Sequence, residues 1–386
     1  MTTAEAHALL RRRRAWLLQA AAASLGPVAG RTAWAAQQAP ATRLQFPRDF
    51  GAHPETAIEW WYLTGCMARE GRSDPEFGYQ LTFFRRRGPA PLDHPSALAA
   101  RQLMLAHGAL SDLRPGGRLR HDQRLGRAVA GLHEASEQDC QLRMGDWSLQ
   151  RQNLPGGHAY QAQLRSRSAG FELRLSLQTS QALLLQGDGG YSRKGPQPDQ
   201  FSHYYSQVQL LSQAELRLEG QLLRLQGRSW LDHEWSDNLL GKPGAEAGAI
   251  QDAAVGWDWA GINLSDGGAL TVFRLRRADG STLWSGGSWR RPDGRTEALG
   301  PEQVQLQPGR LWASPRGGAR YPLEWQLRTP QGEQRLRALM DDQEIHGRAG
   351  AGIRYWEGAA ELLDASGRRS GLGYLELTGY AEALKI

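Results

Sequence analysis

From Leu44 onward, hydrophobic and polar residues alternate in short segments separated by turn-forming clusters. Alternation with a period of two predicts β-strands, and Asp-Gly or Pro-Gly-Gly clusters between such segments predict antiparallel hairpins. The clearest segments are 78–84, 161–167, 171–177, 207–211, 215–225, 270–275, 282–289, 323–327 and 333–339. Helical periodicity outside the N-terminal region is confined to a short stretch near 96–105. The pattern predicts an all-β protein with few helices.

Many short strands at regular spacing are typical of β-sandwiches and β-barrels. A chain of 386 residues with 40% hydrophobic residues holds enough apolar material for two such units. We predict an N-terminal barrel over 36–228 and a C-terminal barrel over 256–386. The segment 229–255 between them is rich in glycine and lacks clean alternation, so we place the junction there and expect it to be functional.

Residues 1–35 have the features of an export signal. Four arginines, Arg11 to Arg14, precede a short apolar run, and Ala33-Trp34-Ala35 supplies the small-x-small pattern of a cleavage site. Arg13 and Arg14, followed by a bulky aromatic residue and leucines, predict a twin-arginine signal read by the twin-arginine translocase. The run is shorter than the ~20 residues of a membrane span. We therefore expect a periplasmic or secreted protein; the alternative is a basic amphipathic helix that stays on the mature chain.

The basic charge belongs mostly to this leader. Removing residues 1–35, which hold five arginines and one glutamate, lowers the net charge from +6 to +2. The remaining charges of both signs are interspersed, so we do not expect a nucleic-acid partner. The two cysteines, Cys66 and Cys140, would lie in an oxidising compartment, where an even count permits a disulfide without requiring one.

Tryptophan clusters beside acidic residues carry the candidate chemistry. Four clusters stand out: Glu59 with Trp60 and Trp61, His233 and Glu234 within Trp230–Trp235, Asp258 between Trp257 and Trp259, and Tyr355-Trp356-Glu357. A carboxyl group buried against indole rings has a raised pKa, as a general acid requires. The remaining tryptophans, such as Trp147 and Trp325, fit ordinary packing in a β-rich core.

Strand geometry limits which of these side chains act together. In an extended strand, Trp257 and Trp259 share one face and Asp258 takes the other. Either Asp258 enters a cavity, or the two tryptophans line it and Asp258 is solvated. By the same rule His233 and Trp235 share a face, and Asp232 and Glu234 share the opposite one.

Seven motifs occur in order along the chain: EWWYLTG (59–65), LAHGALSD (105–112), YYS (204–206), WLDHEWS (230–236), GWDWAGINL (256–264), YWEGA (355–359) and GYLELTGY (373–380). Together they resemble the AttH and carotenoid 1,2-hydratase family over essentially the whole mature chain. The resemblance implies two lipocalin-like antiparallel β-barrels with a ligand cavity near their junction. Some relatives hydrate a terminal double bond of acyclic carotenoids without a cofactor, some fungal ones catalyse Diels-Alder cyclisations, and many bacterial ones are described as secreted hydrolases.

The resemblance also implies site residues. The hydratases are thought to use a His and a Trp that match His233 and Trp235, and a Tyr and an Asp in the segment that holds Asp258. Asp258 has its counterpart, whereas Gly256 stands at the Tyr position and departs from the hydratase pattern. We expect Asp258, His233 and Trp235 to be catalytic. The expected ligand-binding residues are Glu59, Trp60, Trp61, His107, Tyr204, Tyr205, Glu234, Trp257, Trp259, Tyr355, Trp356 and Glu357.

Two functions compete. One is a cofactor-independent acid–base enzyme of the hydratase or lyase type: a protonated Asp258 donates to an alkene or carbonyl, Trp235 and Trp257 stabilise positive charge, and His233 activates water. The other is a non-catalytic periplasmic carrier of a lipid, serving an ABC-type transporter. Either way the expected partner is an apolar small molecule or lipid.

Other groups of residues give weaker indications of a functional site. The acidic run Asp341-Asp342-Gln343-Glu344 and the nearby His346 hold metal-ligating residue types but match no metal motif, so we predict no metal site there. A Gly-x-Ser-x-Gly elbow does not occur in the sequence, and neither cysteine has the context of a nucleophile. Hydrolysis is therefore the less favoured chemistry.

Overall fold

The computed structural model describes residues 43–96, 99–240, 254–347 and 354–384. The predicted signal peptide lies outside these residues. The described part of the chain consists of β-strands and one short 3-10 turn, Arg48–Phe50. It contains no helix long and apolar enough to cross a membrane.

The first sheet is antiparallel and 13-stranded. Its strands are β1 (Ile58–Arg69), β2 (Phe77–Arg87), β3 (Gln102–Asp112), β4 (Leu119–Arg127), β5 (His133–Ala135), β6 (Gln141–Met144), β7 (Trp147–Leu154), β8 (Gly157–Ser166), β9 (Phe171–Gln178), β10 (Leu184–Leu185), β11 (Tyr191–Arg193), β12 (Phe201–Leu218) and β13 (Gln221–Asn238). They pair in the order β4-β3-β2-β1-β13-β12-β9-β8-β7-β6-β5, with β10 and β11 also on β12. Arg124 on β4 donates to the carbonyl oxygen of Met144 on β6 at 2.9 Å, so the two ends of the curled sheet meet.

The second sheet is antiparallel and ten-stranded. Its strands are β14 (Gly256–Leu264), β15 (Ala269–Arg276), β16 (Thr282–Arg290), β17 (Thr296–Leu299), β18 (Gln305–Pro308), β21 (Glu324–Thr329), β22 (Gly332–Ala338), β23 (Glu344–Ile345), β24 (Tyr355–Leu363) and β25 (Arg369–Leu377), and a separate hairpin is formed by β19 (Leu311–Ala313) and β20 (Arg320–Pro322). The order is β17-β16-β15-β14-β25-β24-β22-β21-β18, with β23 on β24. Ser285 on β16 donates to the carbonyl oxygens of Pro301 and Val304, which brings the edge segment beside β18 round towards β16.

These two nearly closed sheets confirm the predicted all-β class of paired lipocalin-like barrels. Each sheet encloses its own apolar core, the first around Trp61, Trp147 and Leu231 and the second around Trp325 and Trp356. A third buried cluster lies between the sheets and includes Tyr62, Trp230, Trp259 and Phe273. The strands that face this third cluster are covered on both sides.

One sequence expectation differs from the structure. The helical stretch near 96–105 is wrong where it is described, because β3 begins at Gln102 and pairs with β2. Met104 and Ala106 enter the first barrel core while Leu103 and Leu105 face the second sheet, and this pairing overrides the local helical pattern.

The first part of the predicted junction 229–255 belongs to β13, which continues to Asn238. Residues 229–236 are buried on both faces, so they show no apolar–polar alternation. Residues 241–253 of the predicted junction lie outside the described residues.

The two cysteines are free and buried in separate places. Cys140 packs in the first barrel core. Cys66 belongs to the cluster between the sheets, and its thiol lies 3.5 Å from the carbonyl oxygen of Gly373 on β25. The permitted disulfide is therefore not formed in this structure.

Candidate active site

A cavity of about 540 Å³ lies between the two sheets. The first sheet supplies side chains from β1, β2, β3, β12 and β13, and the second supplies them from β14, β15, β24 and β25. Its walls are mostly apolar, with large surfaces from Trp60, Phe84, Trp257, Trp259 and Phe273. Polar groups are few, and they converge from both sheets.

Strand alternation divides the predicted site residues between this cavity and the barrel interiors. The cavity is lined by Trp60, His107, Tyr204, Glu234, Trp257, Trp259, Tyr355 and Glu357. Their chain neighbours Trp61, Tyr205, Trp235 and Trp356 point into a barrel core instead, and Glu59 is buried in the first barrel. Each motif therefore contributes to the cavity with only one face of its strand.

His233 and Trp235, two of the three predicted catalytic residues, lie on the barrel side of β13. The His233 ring is stacked on Trp61, with 4.3 Å between ring centroids, and its Nε2 donates to Glu59 Oε1 at 2.8 Å. Its Nδ1 lies 3.1 Å from both the Tyr205 hydroxyl and the carbonyl oxygen of Asp49. Trp235 is stacked on His53 at 3.8 Å. Both side chains are committed to packing in the first barrel and do not line the cavity.

Asp258, the third, faces the inside of the second sheet. Its Oδ2 accepts from Arg274 Nε at 2.7 Å and lies 3.4 Å from Arg276 Nε, and its Oδ1 accepts from the Tyr380 hydroxyl at 2.9 Å. The arrangement with both tryptophans in the cavity is the one observed, but Asp258 on the other face is buried in ion pairs rather than solvated. The expectation of Asp258 as an acid in the cavity is corrected, because its carboxyl group lies inside the second barrel beside two guanidinium groups and does not line the cavity.

A cluster of His53, Glu59 and His233 has the residue types and spacing of a metal site. Glu59 Oε1 accepts from His53 Nδ1 and His233 Nε2, each at 2.8 Å, and Oε2 accepts from Arg85 Nε at 2.7 Å. Burial opposes ionisation of Glu59, but the bonds from His233 and His53 hold its pKa well below the usual range. A cation here would have to displace those imidazole protons beside a guanidinium group. The donor set therefore fits a hydrogen-bonded ion cluster and not a metal centre.

Glu357 and Glu376 form a pair of carboxyl groups in the cavity. They are direct cross-strand partners on β24 and β25, so their side chains project side by side. Burial, and then the neighbouring Glu376, raises the pKa of Glu357 well above its ordinary value. Burial also raises the pKa of Glu376, against the opposing effect of a 2.8 Å hydrogen bond from Trp257 Nε1. Burial and the neighbouring carboxyl group therefore favour the protonated form of Glu357.

Asp232 and Glu234 face the cavity from the first sheet. Asp232 accepts hydrogen bonds from Tyr204 at 2.8 Å, Trp230 at 2.6 Å and Ser206. Burial raises the pKa of Asp232 to about 7, although these bonds favour the anion. Glu234 is paired with Lys194 Nζ at 2.9 Å. These two carboxyl groups are occupied by protein donors, unlike Glu357.

Apart from Glu234 Oε1, which is paired with Lys194, three polar atoms in the cavity have no hydrogen bond of ordinary geometry among the described residues: Tyr62 Oη, His107 Nε2 and Glu357 Oε1. The Tyr62 phenol and the Glu357 carboxyl group face each other. All three residues are buried. Burying a polar atom without a partner is costly, so such atoms at a cavity wall indicate where a ligand or water is bound. The cavity thus combines aromatic walls with free hydrogen-bonding groups and a carboxyl group whose protonated form is favoured, which suits acid–base chemistry on an apolar molecule.

Several lining residues were not predicted: Tyr62, Lys194, Phe273 and Glu376. Tyr62 and Glu376 stand in the EWWYLTG and GYLELTGY motifs, and alternation from Trp60 and Thr378 would have placed both on the cavity side. Asp232 was grouped with Glu234 on one face but was not chosen as a site residue. Lys194 follows β11 in a segment without any motif, so the sequence held no signal for it.

Fold and site define a lipocalin-like protein of two barrels with an acidic, aromatic cavity between them. The model of the AttH-like family matches residues 37–380, and the chain belongs to that family. It is similar to an AttH protein from Nitrosomonas europaea, with 38% identity, a TM-score of 0.78, and coverage of 89% of this chain and 98% of that one. Kievitone hydratase from Nectria haematococca shares the fold at 14% identity and a TM-score of 0.62, over 88% of this chain and 94% of that one. The comparison with curated proteins gave no match.

Proposed function

We propose that the protein is an acid–base enzyme of the hydratase or lyase type that adds water to, or removes it from, a double bond of an apolar, isoprenoid-like molecule. The observation that carries this proposal is Glu357, a buried carboxyl group without a cationic partner, whose Oε1 lies at the wall of an aromatic cavity and makes no hydrogen bond of ordinary geometry among the described residues. Burial and Glu376 raise its pKa, which favours the protonated form. The kievitone hydratase likeness supports the fold alone, so the reaction is inferred from the cavity. The export signal extends the proposal to a periplasmic enzyme acting on envelope lipids or exogenous apolar molecules.

The reaction follows from the groups present. The Glu357 Oε1–H bond breaks as its proton forms a C–H bond with the less substituted alkene carbon, and the π electrons leave a cation on the more substituted carbon. The indole faces of Trp60, Trp257 and Trp259 stabilise that cation, at about 2 kcal/mol for a desolvated cation–π contact. Water then adds to the cation and releases one proton to the protein. The net change is alkene plus water to alcohol, and the reverse sequence is dehydration.

The substrate class follows from the shape of the wall. Apolar side chains such as Ile58, Leu103, Leu105 and Leu125 extend the cavity from the polar groups to the surface, where Leu125 is 58% exposed. A molecule with a reactive unsaturated end and a long apolar body would place its end at Glu357 and its body along these leucines. Acyclic isoprenoids have that form.

The test is hydration in deuterated buffer. Mature protein is incubated with squalene, geranylgeraniol and lycopene, and products are analysed by mass spectrometry for an alcohol with solvent deuterium on the neighbouring carbon. Glu357→Gln should abolish the product while tryptophan fluorescence still reports binding of the same alkene. Glu361→Gln is the matched control, because this carboxyl lies on the same strand but pairs with Arg337 and Arg369 outside the cavity.

A different outcome would favour the carrier function. If no alkene is hydrated, and native mass spectrometry of the exported protein shows one lipid bound equally by wild type and Glu357→Gln, the enzyme proposal is overturned. The protein would then be a lipid carrier, and association with a transporter would be the next question.

A further inference from the structure

A hydrogen bond between His107 and Tyr355 joins the two sheets at the cavity wall. His107 Nδ1 lies 2.6 Å from the Tyr355 hydroxyl oxygen, and the rings are stacked with centroids 5.7 Å apart. His107 is on β3 and Tyr355 on β24. Both side chains are buried, at 3% and 4% exposure. Such a bond between two titratable groups of different sheets sets the protonation of both.

Tyr355 and Glu357 are two residues apart on β24 and line the same cavity, so the phenol faces the carboxyl group and the three residues form a chain. A phenol has one proton to donate. When Tyr355 donates it to Glu357, its oxygen accepts from His107 Nδ1–H, and Nε2 is left as a bare lone pair in the cavity. The two ends of the chain, Glu357 Oε1 and His107 Nε2, are both cavity atoms that make no hydrogen bond of ordinary geometry among the described residues.

We propose that His107, Tyr355 and Glu357 form a bifunctional proton relay, in which Glu357 Oε1 gives a proton to the substrate while His107 Nε2 takes one from the attacking water. This inference rests on the proposed hydration. In this relay His107 is the general base that accepts the proton of the attacking water. Tyr355 is a positioning residue that passes protons between His107 and Glu357.

The proton transfers balance. Glu357 loses the Oε1 proton to the alkene, and the water that attacks the cation loses a proton to His107 Nε2. His107 releases its Nδ1 proton to Tyr355 as the phenol proton moves to Glu357 Oε2, so the carboxyl group is neutral again. After the alcohol leaves, a water bridging Nε2 and Oε1 runs the chain backwards and restores the starting tautomer.

The surroundings of His107 favour transfer without charge build-up. Burial lowers the pKa of His107 to about 3, so the ring does not hold two protons at neutral pH. A relay that adds a proton at one nitrogen while removing one from the other keeps the imidazole neutral throughout. His121 on the neighbouring strand also lowers the pKa of His107, and burial lowers the pKa of His121 itself.

The first experiment separates the two halves of the reaction. In deuterated buffer, Tyr355→Phe breaks the chain but leaves Glu357, so protonation of squalene and return of the proton should still exchange alkene hydrogen for deuterium. Hydration itself should fall on the order of 100-fold, the lower range for loss of a general base. Tyr321→Phe is the control, since Tyr321 donates to Glu344 at 2.9 Å in another part of the molecule.

The outcomes distinguish the two proposals. The relay alone would be overturned if the wild type hydrates squalene and Tyr355→Phe keeps the wild-type ratio of deuterium exchange to hydration. Absence of both exchange and hydration in wild type would overturn the proposed function.

The second experiment needs no substrate. Nitrogen-15 NMR of the free protein should show His107 protonated at Nδ1 and bare at Nε2, and Tyr355→Phe should remove this preference. A wild-type ring protonated at Nε2, or at both nitrogens near neutral pH, would contradict the relay. His133, which is partly exposed and lies outside the cavity, provides an internal reference.

Discussion

Two buried carboxyl groups of the second sheet, Asp258 and Glu357, have opposite kinds of neighbours. Asp258 is enclosed by Arg274, Arg276 and the Tyr380 hydroxyl. Glu357 faces another carboxyl group and two phenols, none of which supplies positive charge. Burial makes charge costly at both places, and only Asp258 has the counter-ions to offset it. Asp258 therefore belongs to a buried ion-pair cluster, whereas the pKa of Glu357 is raised and its protonated form is favoured.

The raised pKa values in the Glu357–Glu376 pair make stability depend on pH. Unfolded glutamate has a pKa near 4.5. Above that pH the unfolded chain has released protons that the folded protein still binds, so the free energy of unfolding falls as pH rises. We expect Glu357→Gln to flatten this decline between pH about 5 and about 8, and to be more stable than wild type at the upper end. Urea unfolding at a series of pH values across this range measures the free energy of unfolding of both proteins.

The control for this pH series is Glu333→Gln, an exposed carboxyl group on β22. Its pH dependence should follow that of the wild type. A Glu357→Gln curve parallel to wild type would show that Glu357 is ionised in the folded protein throughout the range.

Asp258→Asn should act on stability. The substitution leaves two buried guanidinium groups without their anion, which typically costs about 3–5 kcal/mol. We expect the urea midpoint to fall strongly, and the remaining folded protein to keep its hydration activity. Asp279→Asn is the control, because Asp279 lies in an exposed turn and an asparagine oxygen can still accept from Ser281 N–H. If Asp258→Asn has the stability of the wild type but no turnover, Asp258 is a catalytic residue after all.

The residue pattern predicted which side chains share a face, but not which face meets the cavity. Alternation placed Trp257 and Trp259 together and Asp258 opposite, and it paired His233 with Trp235; the structure confirms both groupings. The choice of face failed at His233, because β13 has the first barrel core on one side and the second sheet on the other. In a strand covered on both faces, hydrophobicity does not distinguish the two sides.

At the level of elements, an irregularity in β12 fixes the contact between the sheets. The pairing of β12 with β13 changes register between Gln207 and Leu210, and Gln209 has a φ of 53°. This bulge turns Gln209 towards the second sheet, where its N–H donates to Asn263 Oδ1 at 2.8 Å. Its side-chain amide donates to the carbonyl oxygens of Leu264 and Gly268 at 2.9 and 2.6 Å.

Gln209→Ala should therefore weaken the docking of the sheets. The carbonyl oxygens of Leu264 and Gly268 keep their backbone donors but each loses one hydrogen bond, at about 0.5–1.5 kcal/mol per bond, and we expect the free energy of unfolding to fall by that order. Chemical unfolding measures the change. Gln213→Ala is the matched control on the same strand, because Gln213 is exposed and should change little. Equal effects of the two substitutions would contradict a role for the bulge.

The strand pattern predicted most elements, and it failed where contacts were non-local. The hairpins of β8, β9, β15 and β16 follow from alternation and turn residues in the sequence. The bulge at Gln209 could not be predicted from the sequence pattern, because its side chain bonds to backbone carbonyl oxygens some 55 residues away in the chain. Lys194 entered the cavity in the same unpredicted way, through an ion pair with Glu234.

On the scale of the whole molecule, the two barrels form one compact unit. A buried aromatic cluster lies between them, and hydrogen bonds cross it, among them Gln186 to Thr271 at 2.9 Å and Ser111 to Gln343 at 2.7 Å. We expect a single unfolding transition, with tryptophan fluorescence and circular dichroism changing together. Gln186→Ala should lower that transition as a whole. Two separate transitions in wild type would show that the barrels are independent.

The division of the cavity wall between the two sheets has a consequence for inheritance. Asp232, Glu234 and His107 come from one half of the gene, and Tyr355, Glu357 and Glu376 from the other. Exchange of a single barrel between diverged relatives would yield a folded chimera with a mismatched site, because neither half encodes the reaction. We therefore expect a change of substrate preference in this protein to need matched substitutions in two distant stretches of its sequence.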